Sequence, residues 1–224
     1  MRILTSVLCA SGLAAEAKIA RAAGFQVIVG AGDAHRTTAL VEAAATRAKC
    51  LISFGIAGGL SPHLRVGDVI LSAEVITPDR RWRATESFHS QLGDLARRIG
   101  AAEGAIFGAP AILATAEDKA QAWRDTGALA VDLESAIVAR AADAAGIPFL
   151  VLRTIADPAT RHLPPAALIP LAADGTPAIA RVLGEVLRRP RQIAALFGLA
   201  RETRQALTAL AGPARALRGA FVAA

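Results

Sequence analysis

Short apolar runs rich in Val, Ile and Leu alternate along this chain with longer stretches whose apolar positions recur at helical spacing. That alternation predicts strands interleaved with helices. The reading gives strand 3–9, helix 13–23, strand 26–29, a Gly-rich turn 30–33, helix 37–48 and strand 50–54. A tight glycine turn is expected over 55–60, then strand 68–75, helix 87–100, a strand-like run 105–114 and helix 117–126. A short strand 130–133 enters helix 135–145, and 148–156 reads as a strand buried on both faces. A proline-rich loop covers 157–170. Helices follow at 176–187 and 191–210, with a basic tail from Pro213. Nothing marks a repeat or a domain boundary, so residues 1–224 are expected to form one α/β domain with a basic helical segment from about 176 to 224.

The first apolar run imitates a secretory leader. Thr5, Ser6, Ser11 and Gly12 interrupt it and one arginine precedes it, so strand, turn and helix are the better expectation. No charge-free run reaches about 18 residues, and no spanning helix is expected.

Composition narrows the partners. The 224 residues are 54% hydrophobic and 4% aromatic, with a net charge of +6 carried mostly by arginine. A basic chain can meet nucleic acid, an anionic substrate or a membrane surface. No basic patch is interleaved with aromatics, which argues against nucleic acid. Cys9 and Cys50 lie in apolar runs without CxxC spacing and read as buried free thiols in a reducing, cytoplasmic compartment. The four histidines, 35, 63, 89 and 162, have no ligand spacing, so no metal is expected.

Chemistry concentrates in two segments, Val131-Asp132-Leu133-Glu134-Ser135-Ala136 and Arg153-Thr154-Ile155-Ala156-Asp157. An arginine inside a buried strand needs a carboxylate or an anionic ligand. By strand geometry Arg153, Ile155 and Asp157 share a face, and the outer two are roughly 13 Å apart. That spacing fits a nucleoside lying between an anion site and a carboxyl group. Each residue also has a plainer reading. Glu134 could only offset a helix dipole, Asp157 before Pro158 could only form a turn, and Glu16 alone would pass for a surface residue. The backbone N–H groups around Ala57 and Gly58 in Gly55-Ile56-Ala57-Gly58-Gly59 could receive an anion or a sugar hydroxyl. The segment has neither GxGxxG nor a Walker lysine, so no dinucleotide cofactor is expected.

Taken together, the segments resemble the nucleoside phosphorylase and nucleosidase superfamily. The resemblance is carried by Phe54-Gly55-Ile56-Ala57-Gly58-Gly59-Leu60 through Arg65-Val66-Gly67-Asp68-Val69-Ile70, by Val131 to Ala136, and by Pro148-Phe149 through Arg153 to Asp157. It implies a three-layer α/β/α domain with a mixed central sheet, and commonly a homo-oligomer. It also implies roles. Asp157 takes the place of the acid that stabilises or protonates purine N7. Glu134 takes that of the carboxylate that binds ribose hydroxyls, and Leu133 that of a methionine packed under the sugar. Arg153 and Glu16 match residues that position an attacking water, and Arg153 could equally hold inorganic phosphate as a co-substrate. The chain departs from the pattern in three ways. Asp157 follows Ala156 where the family usually has serine, Glu117-Asp118-Lys119-Ala120 stands where nucleosidases carry a base-stacking phenylalanine, and the phosphorylases' glycine-loop arginine is not evident. The choice between phosphate and water stays open on these residues.

Within that superfamily the chain is most similar to hopanoid-associated phosphorylases. Gly12-Leu13-Ala14-Ala15-Glu16-Ala17, Gly30-Ala31-Gly32-Asp33-Ala34, Thr126-Gly127-Ala128, Leu163-Pro164-Pro165 and Arg189-Pro190-Arg191-Gln192 carry this likeness. It implies cleavage of adenosylhopane with release of adenine. A methylthioadenosine/S-adenosylhomocysteine nucleosidase and a non-catalytic nucleoside-binding protein are the alternatives. The basic C-terminal segment could rest on an anionic inner-membrane surface, or simply pack on the sheet with a solvated face.

Overall fold

The computed structural model describes residues 7–223; positions 3–6 of the expected first strand lie outside them. The order is β1 (Val7–Ser11), α1 (Ala14–Ala22), β2 (Gln26–Val29), α2 (Ala34–Ala45), β3 (Cys50–Gly59), β4 (Val69–Ser72), β5 (Glu74–Ile76), β6 (Arg81–Arg83) and α3 (Glu86–Ile99). Then come β7 (Ile106–Gly108), α4 (Ala116–Thr126), β8 (Ala130–Asp132), α5 (Ser135–Ala145) and β9 (Phe149–Asp157). A 3-10 turn at Pro165–Leu168 leads to α6 (Ile179–Arg188), a second 3-10 turn at Pro190–Gln192 and α7 (Ile193–Ala223).

The nine strands form one mixed sheet. β3 is its centre. Its first part pairs in parallel with β1 on one side and β9 on the other, and its last two residues turn to pair antiparallel with β8. Two hydrophobic cores lie on opposite faces. Val41 and Ala45 of α2 pack with Val138, Ala139 and Ala142 of α5 on one. Ala20 of α1, Leu92 and Leu95 of α3, and Leu210, Ala214 and Leu217 of α7 cover the other. The result is a three-layer α/β/α domain. Among the described residues no helix is long and apolar enough to cross a membrane, and no cluster of His, Cys, Asp or Glu could hold a metal ion.

Several expectations need correcting. The expected turn at 55–60 is the second half of β3. Its glycines supply missing side chains, not a reversal of the chain. Gly55 has φ +154°, and a Cβ there would collide with the carboxylate of Glu16 and with Arg153 Nη1. The expected strand 68–75 divides in two, because the Ser72 hydroxyl bonds to both the carbonyl and the N–H of Glu74, and the halves pair with different neighbours, β9 and β7. The strand-like run 105–114 keeps only Ile106–Gly108. The tail from Pro213 continues α7, which runs through that proline to Ala223. A helix-interior proline costs about 3 kcal/mol, and the burial of Leu210, Ala214 and Leu217 in the second core offsets it. Between Ile155 and Asp157 the register with β3 slips by one residue. The strict alternation that put Arg153, Ile155 and Asp157 on one face therefore ends at this bulge.

Gly55→Ala should destabilise the chain by about 3 kcal/mol or more, from overpacking and backbone strain together. Gly212→Ala, where a Cβ meets nothing within 4 Å of a helical glycine, should be neutral or stabilising by up to about 1 kcal/mol. Urea unfolding of both variants measures the contrast, and equal midpoints would contradict it.

Candidate active site

The C-terminal ends of β3, β8 and β9 converge beside the first turn of α1; β8, β9 and α1 deliver ionisable side chains, and β3 contributes the Ser53 hydroxyl and the backbone of Ile56. Glu16 comes from α1. One of its oxygens accepts the N–H groups of Gly12 (3.0 Å) and Leu13 (2.8 Å), and the other accepts the N–H of Ile56 in β3 (2.8 Å). Three backbone donors thus tie the start of α1 to the sheet through a single buried carboxylate. It is not a surface residue: it is 2% exposed. Burial raises its pKa, against the lowering effects of Arg153 and the three N–H groups.

Arg153, fully buried in β9, occupies the middle of the cluster. Its Nε lies 2.6 Å from Asp132 Oδ2. One terminal nitrogen donates to Ser53 Oγ (2.7 Å) and to Glu134 Oε2 (3.2 Å), and the other to the Ile56 carbonyl (3.3 Å). Burial by itself would lower the arginine's pKa, but Asp132, Glu134 and Glu16 more than offset it, so the guanidinium stays charged. These contacts settle where Arg153 stands. Its donors face protein groups behind the pocket wall, and it supports the carboxylates instead of presenting an open anion site.

Asp132 and Glu134 divide the labour at the β8–α5 junction. Asp132 accepts the Ser135 N–H (2.9 Å) and its hydroxyl, and so anchors the helix. Glu134 stands at the N-cap of α5 but makes no capping bond, and its side chain turns to Arg153 instead. Its Oε1 lies against Gly12, where a Cβ would overlap it. Burial first, then the nearby charges of Asp132 and Glu16, push its pKa up to about 7 despite Arg153.

Asp157 is held by Lys119, a residue that sequence reasoning noted only as occupying the place of a missing aromatic. Lys119 is 1% exposed, and its ammonium donates to Asp157 Oδ2 and to the carbonyls of Pro158 (3.2 Å) and Arg161 (3.3 Å), which uses all three donors. Burial raises the Asp157 pKa and Lys119 opposes it. A signal was present in the sequence. Lysine occurs only at 18, 49 and 119 in a chain that otherwise uses arginine, and three divergent acceptors suit an ammonium better than a planar fork.

Glu16, Ala57, Gly58, Leu133, Glu134 and Asp157 all line one cavity of about 400 Å³, within the range of small-molecule sites. Arg153 is not among its lining residues. Much of the remaining lining is apolar and includes Ile112, Leu163, Leu168, Ile169, Leu171 and Leu199. Behind the polar floor one guanidinium, that of Arg153, faces Asp132, Glu134 and Glu16. With all three ionised, negative charge is in surplus, and a cation formed above the floor would be stabilised there.

Known proteins share this framework. The model of the phosphorylase superfamily matches residues 7–188. A 5'-methylthioadenosine/S-adenosylhomocysteine nucleosidase of Desulfotalea psychrophila is 26% identical over 129 residues, 49% of this chain and 55% of that protein. The chain thus spans about half the length of that curated relative. Among solved structures, the 5'-methylthioadenosine/S-adenosylhomocysteine nucleosidase of Neisseria meningitidis in complex with methylthio-immucillin-A superposes with a TM-score of 0.64 at 17% identity, covering 96% of this chain and 99% of that one. A futalosine hydrolase mutant of Helicobacter pylori gives 0.59 at 18% identity, over 70% of this chain and 89% of that one. Identities this low establish a common fold.

Two outcomes follow from the electrostatics. The folded chain holds a proton on Glu134 up to about pH 7, whereas the unfolded chain releases it near 4.5. Stability contributed by this group is therefore lost as pH rises through that interval, by up to about 3 kcal/mol. Subtracting the unfolding free energy of Glu134→Gln from that of the parent at each pH should show this decline; a flat difference would contradict it. Lys119→Met removes the charge that lowers the Asp157 pKa. If Asp157 works as an acid, the alkaline limb of kcat/KM should move to higher pH, and an unmoved limb would separate Lys119 from the chemistry.

Proposed function

This chain belongs to the phosphorylase superfamily, and from that premise we propose that it cleaves the N-glycosidic bond of a 5′-substituted adenosine and releases adenine. The observation that carries the reading is one cavity with a floor of surplus carboxylate and a wall of aliphatic side chains. N-glycosidic cleavage develops positive charge on the sugar and negative charge on the base. Glu134 would accept hydrogen bonds from the ribose hydroxyls and, with Glu16, stabilise the cationic sugar. Asp157 would give its proton to N7 of the departing purine. Water is the favoured nucleophile, with Glu16 as its base. Among the described residues lining the cavity the one cation is Lys119, already paired with Asp157, so phosphate has little to hold it.

The finer proposal is the substrate. An aliphatic wall beside the sugar suits a large apolar 5′ substituent, and adenosylhopane is the one the hopanoid-phosphorylase resemblance supplies. Methylthioadenosine is the second reading, favoured by the nucleosidase relatives.

Adenine release is to be measured from detergent-dispersed adenosylhopane and from methylthioadenosine, each with and without phosphate. We expect release from the lipid nucleoside, independent of phosphate, falling about 10²- to 10⁴-fold in Asp157→Asn. Faster release from methylthioadenosine would move the chain to nucleoside salvage. Binding of adenine without turnover of either nucleoside would make it a binding protein.

A further inference from the structure

α6 exposes an apolar stripe that the protein itself leaves uncovered. Ile179, Leu183 and Leu187, spaced four residues apart, are 62%, 56% and 83% exposed, and Phe197 near the start of α7 is 74% exposed. In an isolated globular surface such a stripe signals a partner. The charges around it select which one. Arg181, Arg188, Arg189 and Arg191 are all exposed and stand against a single acid, Glu185. Glu185 lies 3.5 Å from Arg189 and 4.0 Å from Arg188. A groove of about 670 Å³ at the foot of α6 is lined by Arg188, Arg189 and Arg191. Two copies of this face would oppose arginine to arginine, whereas an anionic surface would complement both the apolar stripe and its basic edge.

We propose that α6 and the start of α7 form a monotopic docking face for an anionic phospholipid bilayer. On a helix wheel Ile179, Leu183 and Leu187 fall within one arc of about 80°, and the exposed surface continues across Ala180 and Gly184 to Arg181 and Arg188, which lie together about 100° beyond that arc. Such a helix lies in the interface plane with its apolar face in the acyl boundary and its arginines at the phosphates. The face leads directly to the cavity. α6 packs on the 3-10 turn Pro165–Leu168. Leu168 of that turn is 39% exposed and also lines the cavity, as does Leu199, two residues beyond Phe197. A docked protein therefore presents the aliphatic wall of its pocket to the bilayer. A substrate held in the membrane by its 5′ substituent could enter without crossing water. This extends the proposed lipid nucleoside substrate, but the docking is read without any substrate, so either idea can fail alone.

The test is cosedimentation of the full chain with phosphatidylglycerol/phosphatidylcholine vesicles and with pure phosphatidylcholine vesicles. Parent, Leu183→Glu/Leu187→Glu and Arg181→Glu/Arg188→Glu are compared, with oligomeric state from light scattering and melting temperature as controls. The substituted side chains are exposed, so melting should be unchanged. We expect binding to the anionic vesicles, weakened by salt, a loss of at least tenfold in the leucine variant, and a clear loss in the arginine variant. Failure of the parent to bind, or equal binding by the leucine variant, overturns the proposal. Conversion of an oligomer to monomers by the leucine variant would also overturn it, by assigning the stripe to a second copy.

Discussion

A guanidinium buried in the middle of a sheet has to be surrounded by charge of the opposite sign, and the site is organised around that requirement. Arg153 meets Asp132 and Glu134 from the β8–α5 junction, Ser53 and the Ile56 carbonyl from β3, and the field of Glu16 from α1. Each partner is in turn tied to backbone. Asp132 holds the N-terminus of α5, and Glu16 joins α1 to β3. Gly55 has no side chain because Glu16 and Arg153 must approach each other across it. Removing one member would leave another charge buried and uncompensated, which is far costlier than the net worth of any one pair.

In the proposed reaction the same constraint serves the chemistry. One guanidinium cannot neutralise three carboxylates, and burial makes the surplus expensive, as the pKa of about 7 at Glu134 records. A site in this condition gains most when a cation appears beside it, which happens to ribose as its glycosidic bond breaks. In the proposed reaction Asp157 serves the departing base, and the bulge in β9 together with Lys119 fixes its position.

Much of this was legible in the sequence. Arg153 in an apolar run announced a buried charge, and the alternation of elements gave the layered fold. What escaped has physical causes. Gly55 to Gly59 read as a turn because glycine marks both turns and strands that other groups approach closely, and the sequence does not show which neighbours approach. Arg153 looked available to an anion because Asp132, in plain sight two residues before Glu134, was not seen as its partner. Lys119 was passed over because pairing across 38 residues leaves no local pattern. The continuation of α7 past Pro213 depends on burial against the sheet, and tertiary packing of that kind overrides a local breaker.

The cavity thus has two characters, a charged floor and an aliphatic wall, which the proposed reading assigns to the sugar and base and to the 5′ substituent. The central claim concerns the floor. Its most direct test is the affinity for an adenine-bearing pyrrolidine that is cationic in place of ribose, compared with its uncharged carbocyclic counterpart, by calorimetry at pH 6 and pH 8. The account predicts that the cation binds at least about 10²-fold more tightly, and that its advantage grows toward pH 8 as Glu134 ionises. Equal affinity for the two compounds at both pH values would contradict it.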